Sequence, residues 1–100
     1  MPENKAISED ILQTAAFAKA LSHPVRVFIL KKLSKLDACC YSGDIAEELQ
    51  IGRSGLSQHL KELKYAGLIN AHIKKPFIKY CINKENWATA KKMFSTLFNE

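Results

Sequence analysis

The segment at residues 49–68, LQIGRSGLSQHLKELKYAGL, constrains the fold of this chain more than any other stretch. At the helical period of about 3.6 residues, a helix begun at Ser54 places leucines on one side and polar side chains on the opposite side. The apolar side consists of Leu56, Leu60 and Leu63, and the polar side of Ser54, Ser57, Gln58, Lys61 and Tyr65. Gly52 suits the turn before this helix, and Gly67 suits a left-handed helix end. The segment therefore predicts an amphipathic helix with one face packed and one face free.

A shorter helix is predicted directly before this segment, with Ser42 as its cap. Its inward positions are the apolar residues Ile45, Ala46 and Leu49. Residues 50–52 then form a tight turn, and two short helices joined in this way make a helix-turn-helix. Serine, glutamine, lysine and arginine are the residue types that contact phosphates and base edges, and Gln58 can pair with adenine through two hydrogen bonds. The two helices together predict DNA binding.

Other functions remain as alternatives to DNA binding. One alternative is that the polar helical face is only solvated surface. Another is a winged-helix module that docks a protein partner, but the short polar groups of this face suit a DNA groove better than a dry protein interface. A small metal-buffering protein is a further alternative. An enzyme is not indicated, because Ser57 and His59 lie two residues apart on a helix, do not face each other and have no partner acid.

Length and charge agree with a small DNA-binding protein. The chain has 100 residues, which is enough for one domain over residues 1–100 and leaves no room for a second. Its 15 lysines and arginines against 10 acidic residues give a net charge of +5, which suits a polyanionic partner. Acidic residues cluster at 3–10 and 44–48, whereas the second half carries most of the basic residues around the predicted binding elements.

The N-terminal residues MPENKAISED have neither a basic start followed by an apolar run nor a membrane-spanning segment. We therefore expect a cytoplasmic protein without a membrane partner. The three cysteines, Cys39, Cys40 and Cys81, are too few for a disulfide scaffold, and in a reducing compartment we expect thiols or metal ligands.

The remaining elements follow from periodicity and from turn residues. A first helix is predicted over residues 8–21, and a second from Pro24, after Ser22-His23, to Leu36. Residues 68–74 and 77–82 are β-prone runs separated by Lys75-Pro76, which predicts a hairpin, and Asn83 can cap a last helix. The order α-α-α-α-β-β-α is mainly helical with one small hairpin, which is the winged helix-turn-helix arrangement.

The last helix carries a wide apolar seam. Its members are Trp87, Ala90, Met93, Phe94, Leu97 and Phe98. This is generous cover for so small a core, and it predicts a homodimer, whose twofold symmetry would match palindromic DNA half-sites. The alternative is that the seam only covers the chain's own core.

Three stretches resemble the ArsR/SmtB transcriptional repressors. They are ALSHPVRVFILKKL at 20–33, GDIAEELQIGRSGLSQHLKELKYAGLI at 43–69 and KYCIN at 79–83. The run LSQHL followed by AGL is the most specific part of the match. The resemblance implies a winged-helix homodimer paired through its first and last helices. It also implies a repressor that reads an imperfect palindrome in the major groove of double-stranded DNA and responds to a metal or to redox state.

Carried over position by position, the resemblance implies a set of DNA contacts on two elements. The recognition helix would contact DNA with Ser54, Ser57 and Gln58, with Arg53 and Lys61 near phosphates, and the wing would reach the backbone with Lys74, Lys75 or Lys79. Gly52 departs from the family, which often has serine or a similar cap there. His59 lies away from the DNA face, so we interpret it as a structural residue or a distant phosphate contact.

The resemblance also suggests how an inducer would bind. The family's zinc site on the last helix is absent, because that helix has no Asp and His pair. Other members bind As(III), Sb(III) or another thiophilic ion through cysteines near the third helix, and thiolates are the ligands that such ions prefer. Here Cys39 and Cys40 precede that helix and Cys81 lies in the second wing strand, so we predict a metalloid site of three sulfurs. We expect that the protein requires no cofactor.

Two features weigh against the three-sulfur site. The family's arsenic ligands form a Cys-x-Cys just before the position of Asp44, whereas this chain has Cys-Cys four and five residues earlier. Neighbouring residues of a strand also point to opposite faces, so only one of the two could face Cys81. A redox switch and cysteines without a sensing role therefore remain as alternatives.

Overall fold

The structure is a computed structural model that describes residues 5–36 and 39–100. Its elements are α1 (Glu9–Ala20), α2 (Pro24–Leu36), β1 (Cys40–Tyr41), α3 (Ser42–Leu49), α4 (Arg53–Tyr65), β2 (Ile69–Lys74), β3 (Phe77–Ile82) and α5 (Lys84–Phe98). The predicted order of five helices and a hairpin is confirmed, and the structure adds the short strand β1 ahead of α3. None of the described helices is long and apolar enough to cross a membrane.

The helix caps show where local sequence decides a helix start and where it does not. Asn83 caps α5 as predicted, since its side-chain oxygen accepts from the backbone N–H of Asn86 at 3.0 Å. The predicted cap at Ser42 is wrong: Tyr41 is the N-cap of α3, no side chain caps this helix, and Ser42 is its first residue. The reason is that Tyr41 is extended and pairs with Lys79 of β3, so the strand ends at Tyr41 and the helix starts at Ser42, one residue earlier than predicted.

The turn between α3 and α4 is also arranged differently from the prediction. The left-handed residue is Gln50, with φ 54°, whereas Gly52 is extended and serves as the N-cap of α4 without a capping side chain. The helix therefore begins at Arg53, one residue before Ser54. At the other end Gly67 has φ 81°, which confirms the left-handed helix end.

The core lies between α2, α3, α4 and the sheet. Leu56, Leu60 and Leu63 of α4 are all buried, so the packed face of this helix is the predicted one. They belong to one apolar cluster with Ile29, Leu30 and Leu33 of α2, Ile45 of α3, and Leu68 and Ile69 at the start of the hairpin. This cluster fixes the orientation of α4, and with it the direction of its polar face.

The three strands form one antiparallel sheet in the order β1-β3-β2. Cross-strand partners share a face, so Cys40 and Tyr80 lie on the face that packs against the core, while Tyr41 and Lys79 lie on the outer face. The hairpin continues beyond the core to Lys74 and Phe77, which pair at its tip. Lys75 and Pro76 form the turn, as predicted.

Helices α1 and α5 pack against each other and leave apolar side chains exposed. Leu97 is 51% exposed and Phe98 75%, and both border a shallow groove between the two helices that Ile11 and Ala15 also line. The apolar seam of α5 is therefore only partly buried within the chain, since Ala90 is buried but the side chains of Leu97 and Phe98 in the last turn are exposed.

Candidate nucleic-acid interface and cysteine pair

The polar face of α4 is exposed along its whole length. Arg53, Ser54, Ser57, Gln58 and Lys61 all lie on the surface, opposite the three buried leucines. The structure therefore brings the five predicted residues of this helix together on one accessible surface. Such a face offers hydroxyl, amide and cationic groups at the spacing of successive helical turns, which is what an element lying in a major groove needs.

Gln58 is held by a neighbour on its own helix. Its amide nitrogen Nε2 lies 3.4 Å from Oε1 of Glu62, to which it donates, and Oε2 of Glu62 lies 3.9 Å from Nη1 of Arg26 on α2. The amide therefore keeps its oxygen and one N–H for another partner. The sequence carries no signal for this connection, because Arg26 is 36 positions away from Glu62 and nothing local links the two.

His59 lies off the exposed face and packs against His23, just ahead of α2. The two ring centroids are 4.1 Å apart with the planes tilted by 44°, and Nδ1 of His23 accepts from the backbone N–H of Val25 at 3.1 Å. Burial, followed by the proximity of His23 and of Arg26, lowers the pKa of His59 below its usual value. Of the two interpretations given to His59 from the sequence, this packing favours the structural one.

The three lysines predicted for the wing lie in two separate parts of it. Lys74 and Lys75 are exposed at the tip of the hairpin. Lys79 is half-buried further back on the outer face of β3, and its Nζ lies 5.8 Å from the centroid of the Tyr41 ring. The structure thus places two cations at the tip and one beside an aromatic ring of β1.

The structure joins Cys39 to Cys81 by a disulfide bond, with the two Cα atoms 4.3 Å apart. The register explains the pairing: Cys40 lies opposite Tyr80, so the preceding residue lies opposite Cys81 on the outer face. Cys40 points the other way, is a free thiol and packs against the core. Thus two of the three predicted ligands meet and the third does not, as the alternation of strand side chains requires.

No metal centre is formed by the part of the chain that the structure describes. Within it, no group of three or more His, Cys, Asp or Glu side chains is arranged to hold a metal ion. Only the dithiol that would result from reduction of the Cys39–Cys81 bond offers two sulfur ligands at one place.

Comparison with known proteins places this geometry in a family. The family model "Bacterial regulatory protein, arsR family" matches residues 23–71. The transcriptional repressor SdpR of Bacillus subtilis is 43% identical over 65 residues, which are 65% of this chain and 70% of SdpR. The HTH-type transcriptional regulator YgaV of Escherichia coli is 33% identical over 85 residues, 85% of each protein. The structure of HlyU from Vibrio cholerae superimposes with a TM-score of 0.73 at 26% identity, over 93% of this chain and 99% of HlyU.

The fold and the exposed polar face of α4 define a winged-helix DNA-binding transcriptional regulator, not an enzyme. The chain belongs to the arsR family of bacterial regulatory proteins. This confirms the resemblance that the three sequence stretches carry.

Proposed function

We propose that this protein is a cytoplasmic transcriptional repressor that binds, as a homodimer, an imperfect palindrome in double-stranded DNA. The observation that carries the proposal is the exposed face of α4, whose polar residues lie opposite three buried leucines. Ser54, Ser57 and Gln58 contact base edges in the major groove, and Arg53 and Lys61 contact the flanking phosphates. The description of the related SdpR as a transcriptional repressor supports the same activity.

The wing supplies contacts that carry affinity more than sequence preference. Lys74 and Lys75 at the exposed tip, and Lys79 behind it, add positive charge beside α4. Contacts with phosphates release counterions, so they strengthen binding to any sequence and make it salt-dependent.

The second copy of the chain binds at the groove between α1 and α5. The exposed Leu97 and Phe98, together with Ile11 and Leu12 of α1, form an apolar surface that a twofold-related copy would cover. A twofold axis there presents two α4 helices to half-sites about one helical turn, or about 34 Å, apart. This pairing supports the palindromic form of the operator.

We propose that the Cys39–Cys81 pair is the part that responds to an inducer. The two thiols lose two electrons and two protons to an oxidant, such as a hydroperoxide, when the disulfide forms. The bond ties the segment before α3 to β3, the central strand, which also carries Lys79. The state of the bond thus acts directly on the wing.

A soft metalloid is the second candidate inducer, and the same observation supports it. The reduced pair offers two neighbouring thiolates to As(III) or Sb(III), which prefer sulfur ligands. Cys40 is on the opposite face of its strand and is not a ligand in this proposal. The protein requires no cofactor to bind DNA.

DNA selection tests the repressor proposal without knowledge of the operator. Reduced protein is incubated with a random duplex library, and bound DNA is amplified and sequenced over several rounds. We expect an imperfect palindrome with half-sites about one helical turn apart. Selection with Gln58→Ala should lose the preference at one symmetric pair of positions. No enrichment, or the same motif with the variant, would contradict the proposal.

The sensing proposal is tested on the selected duplex with oxidised and reduced protein. The two states should differ in affinity by about fivefold or more, which corresponds to a coupling free energy of about 1 kcal/mol or more. Cys39→Ser should abolish the difference, whereas Cys40→Ser should keep it. Equal affinities would leave a DNA-binding repressor whose cysteine pair does not signal redox state.

A further inference from the structure

A cleft of about 520 Å³ separates the wing tip from the first residues of α3 and α4. One wall is polar and contains Ser42 and Arg53. The other wall is apolar and contains Pro76, Phe77 and the ring of Tyr41. The first residue of the recognition helix and the turn of the wing thus face each other across one open space.

The apolar wall is not part of the core. Phe77 is 61% exposed, and its ring makes an edge-on contact with the ring of Tyr41 at a centroid distance of 5.7 Å. An aromatic side chain held at this exposure, on a hairpin that extends beyond the core, adds little to folding. It provides a flat apolar surface at the edge of the cleft.

The polar wall is held by a close approach. A Cβ atom at Gly43 would lie 3.2 Å from Nη2 of Arg53, so the guanidinium group rests on the first turn of α3 where only a hydrogen occupies the side-chain position. Within the described parts of the chain, Arg53 forms no ion pair with a carboxylate. Its charge is therefore free for an external anion.

We propose that this cleft holds one segment of the sugar–phosphate backbone of the operator, an inference that rests on the proposed function. A strand that separates two adjacent grooves passes between the element in the major groove and the wing beside the minor groove. Its phosphate contacts Arg53 and the hydroxyl of Ser42, and its deoxyribose packs on Phe77 and Tyr41. A backbone that alternates anionic and apolar groups matches a cleft with one wall of each kind.

The two walls have different signatures in binding experiments. Each phosphate contact contributes about 0.9 to the slope of log affinity against log salt concentration, and a homodimer carries two copies of Arg53, so Arg53→Gln should lower the magnitude of the slope by about two. Phe77→Ala should weaken binding about five- to twentyfold without a change of slope, which is the size expected for burying part of an aromatic side chain. Phe77→Leu keeps an apolar wall and should retain most of the affinity. Ile73→Ala removes another exposed side chain of the wing, outside the cleft, and should have little effect.

Neutral phosphates locate the contact directly. A scan places a single uncharged methylphosphonate at each position of the selected duplex in turn. One position in each half-site should weaken binding of the wild type but not of Arg53→Gln, because the variant has already lost the partner of that phosphate. Circular dichroism of Phe77→Ala should match that of the wild type, so that weaker binding is not caused by loss of folding.

The outcomes separate this inference from the proposed function. If Gln58→Ala loses sequence preference while Phe77→Ala binds like the wild type, or Arg53→Gln keeps the wild-type methylphosphonate profile, the cleft proposal is overturned and DNA binding by α4 stands. If the wild type selects no DNA at all, the proposed function fails as well.

Discussion

The imidazole of His59, on the recognition helix, packs on that of His23 ahead of α2, with ring centroids 4.1 Å apart. The charge of Arg26, in the first turn of α2, also lowers the pKa of His59. The same side chain places Nη1 at 3.9 Å from Oε2 of Glu62 on the recognition helix. Two separate contacts therefore fix the start of α2 against the middle of α4. Protonation of His59 would place positive charge beside Arg26 in a partly buried site.

This arrangement predicts lower stability in acid. Burial, with His23 and Arg26, lowers the pKa of His59 from its usual value of 6.5, so below that value the unfolded chain binds more protons than the folded protein. The free energy of unfolding should therefore fall as the pH drops through that value, and the contribution becomes constant below the folded-state pKa. Urea unfolding between about pH 8 and about pH 5 measures it. His59→Gln should lose part of the decline, and an identical decline in both proteins would refute the assignment.

Two glycines of the helix-turn-helix region should respond to alanine in opposite directions. Gly67 has φ 81°, and an added Cβ would lie 2.9 Å from Nδ2 of Asn86, which donates to the carbonyl of Gly67. Gly67→Ala should lower the free energy of unfolding by about 1–2 kcal/mol. Gly55 lies in α4 with open space around it, so Gly55→Ala should raise that energy by about 0.5–1 kcal/mol. Chemical denaturation of both variants gives the answer, and a shift of the same sign in both would be inconsistent with these conformations.

Titration with arsenite distinguishes two sulfur ligands from three. Absorbance of thiolate–arsenic bonds in reduced protein should saturate at about one arsenic per subunit, if the metalloid binds at the pair. Cys39→Ser and Cys81→Ser should each abolish the signal, whereas Cys40→Ser should retain it because this thiol packs against the core. Loss of binding in Cys40→Ser would restore the three-sulfur site predicted from the sequence. No absorbance change in the wild type would exclude arsenite as the inducer.

The groove between α1 and α5 predicts a dimer that charge can disrupt. Leu97→Glu places a carboxylate in the exposed apolar surface, and burying an unpaired charge in an interface is strongly unfavourable. Sedimentation should show a dimer for the wild type and mainly monomer for the variant. Ile73→Glu introduces the same charge at an exposed wing position, 69% accessible, and should remain dimeric. A wild type that sediments as a monomer at all concentrations would contradict the proposed interface.

The sequence predicts best those elements whose causes are local. The leucines of α4 repeat at the helical period, and Asn83 caps α5, because both depend only on neighbouring residues. The prediction of a cap at Ser42 was wrong because the pairing of Tyr41 with Lys79, 38 positions later, decides where α3 begins. The left-handed turn at Gln50 also had no local signal, since glycine was the expected residue.

The candidate site divides in the same way. The polar face of α4 follows from periodicity, whereas the pairing of Cys39 with Cys81 depends on the register of β1 against β3. Alternation along a strand did predict that only one of the two adjacent cysteines would face Cys81. The sequence did not predict the contact of Phe77 with Tyr41 or the cleft beside it. Both depend on β1, the start of α4 and the hairpin tip, which are distant from one another in the sequence.

Binding of the selected duplex by Gln58→Ala tests most directly whether α4 reads DNA with its exposed face. Fluorescence anisotropy compares the wild type, Gln58→Ala and Gln13→Ala, a matched change at an exposed position of α1. We predict that Gln58→Ala weakens binding about 5- to 150-fold for each half-site, equivalent to about 1–3 kcal/mol, with relaxed preference at one symmetric pair of base pairs, while Gln13→Ala binds like the wild type. Equal affinity and preference in all three proteins would contradict this prediction.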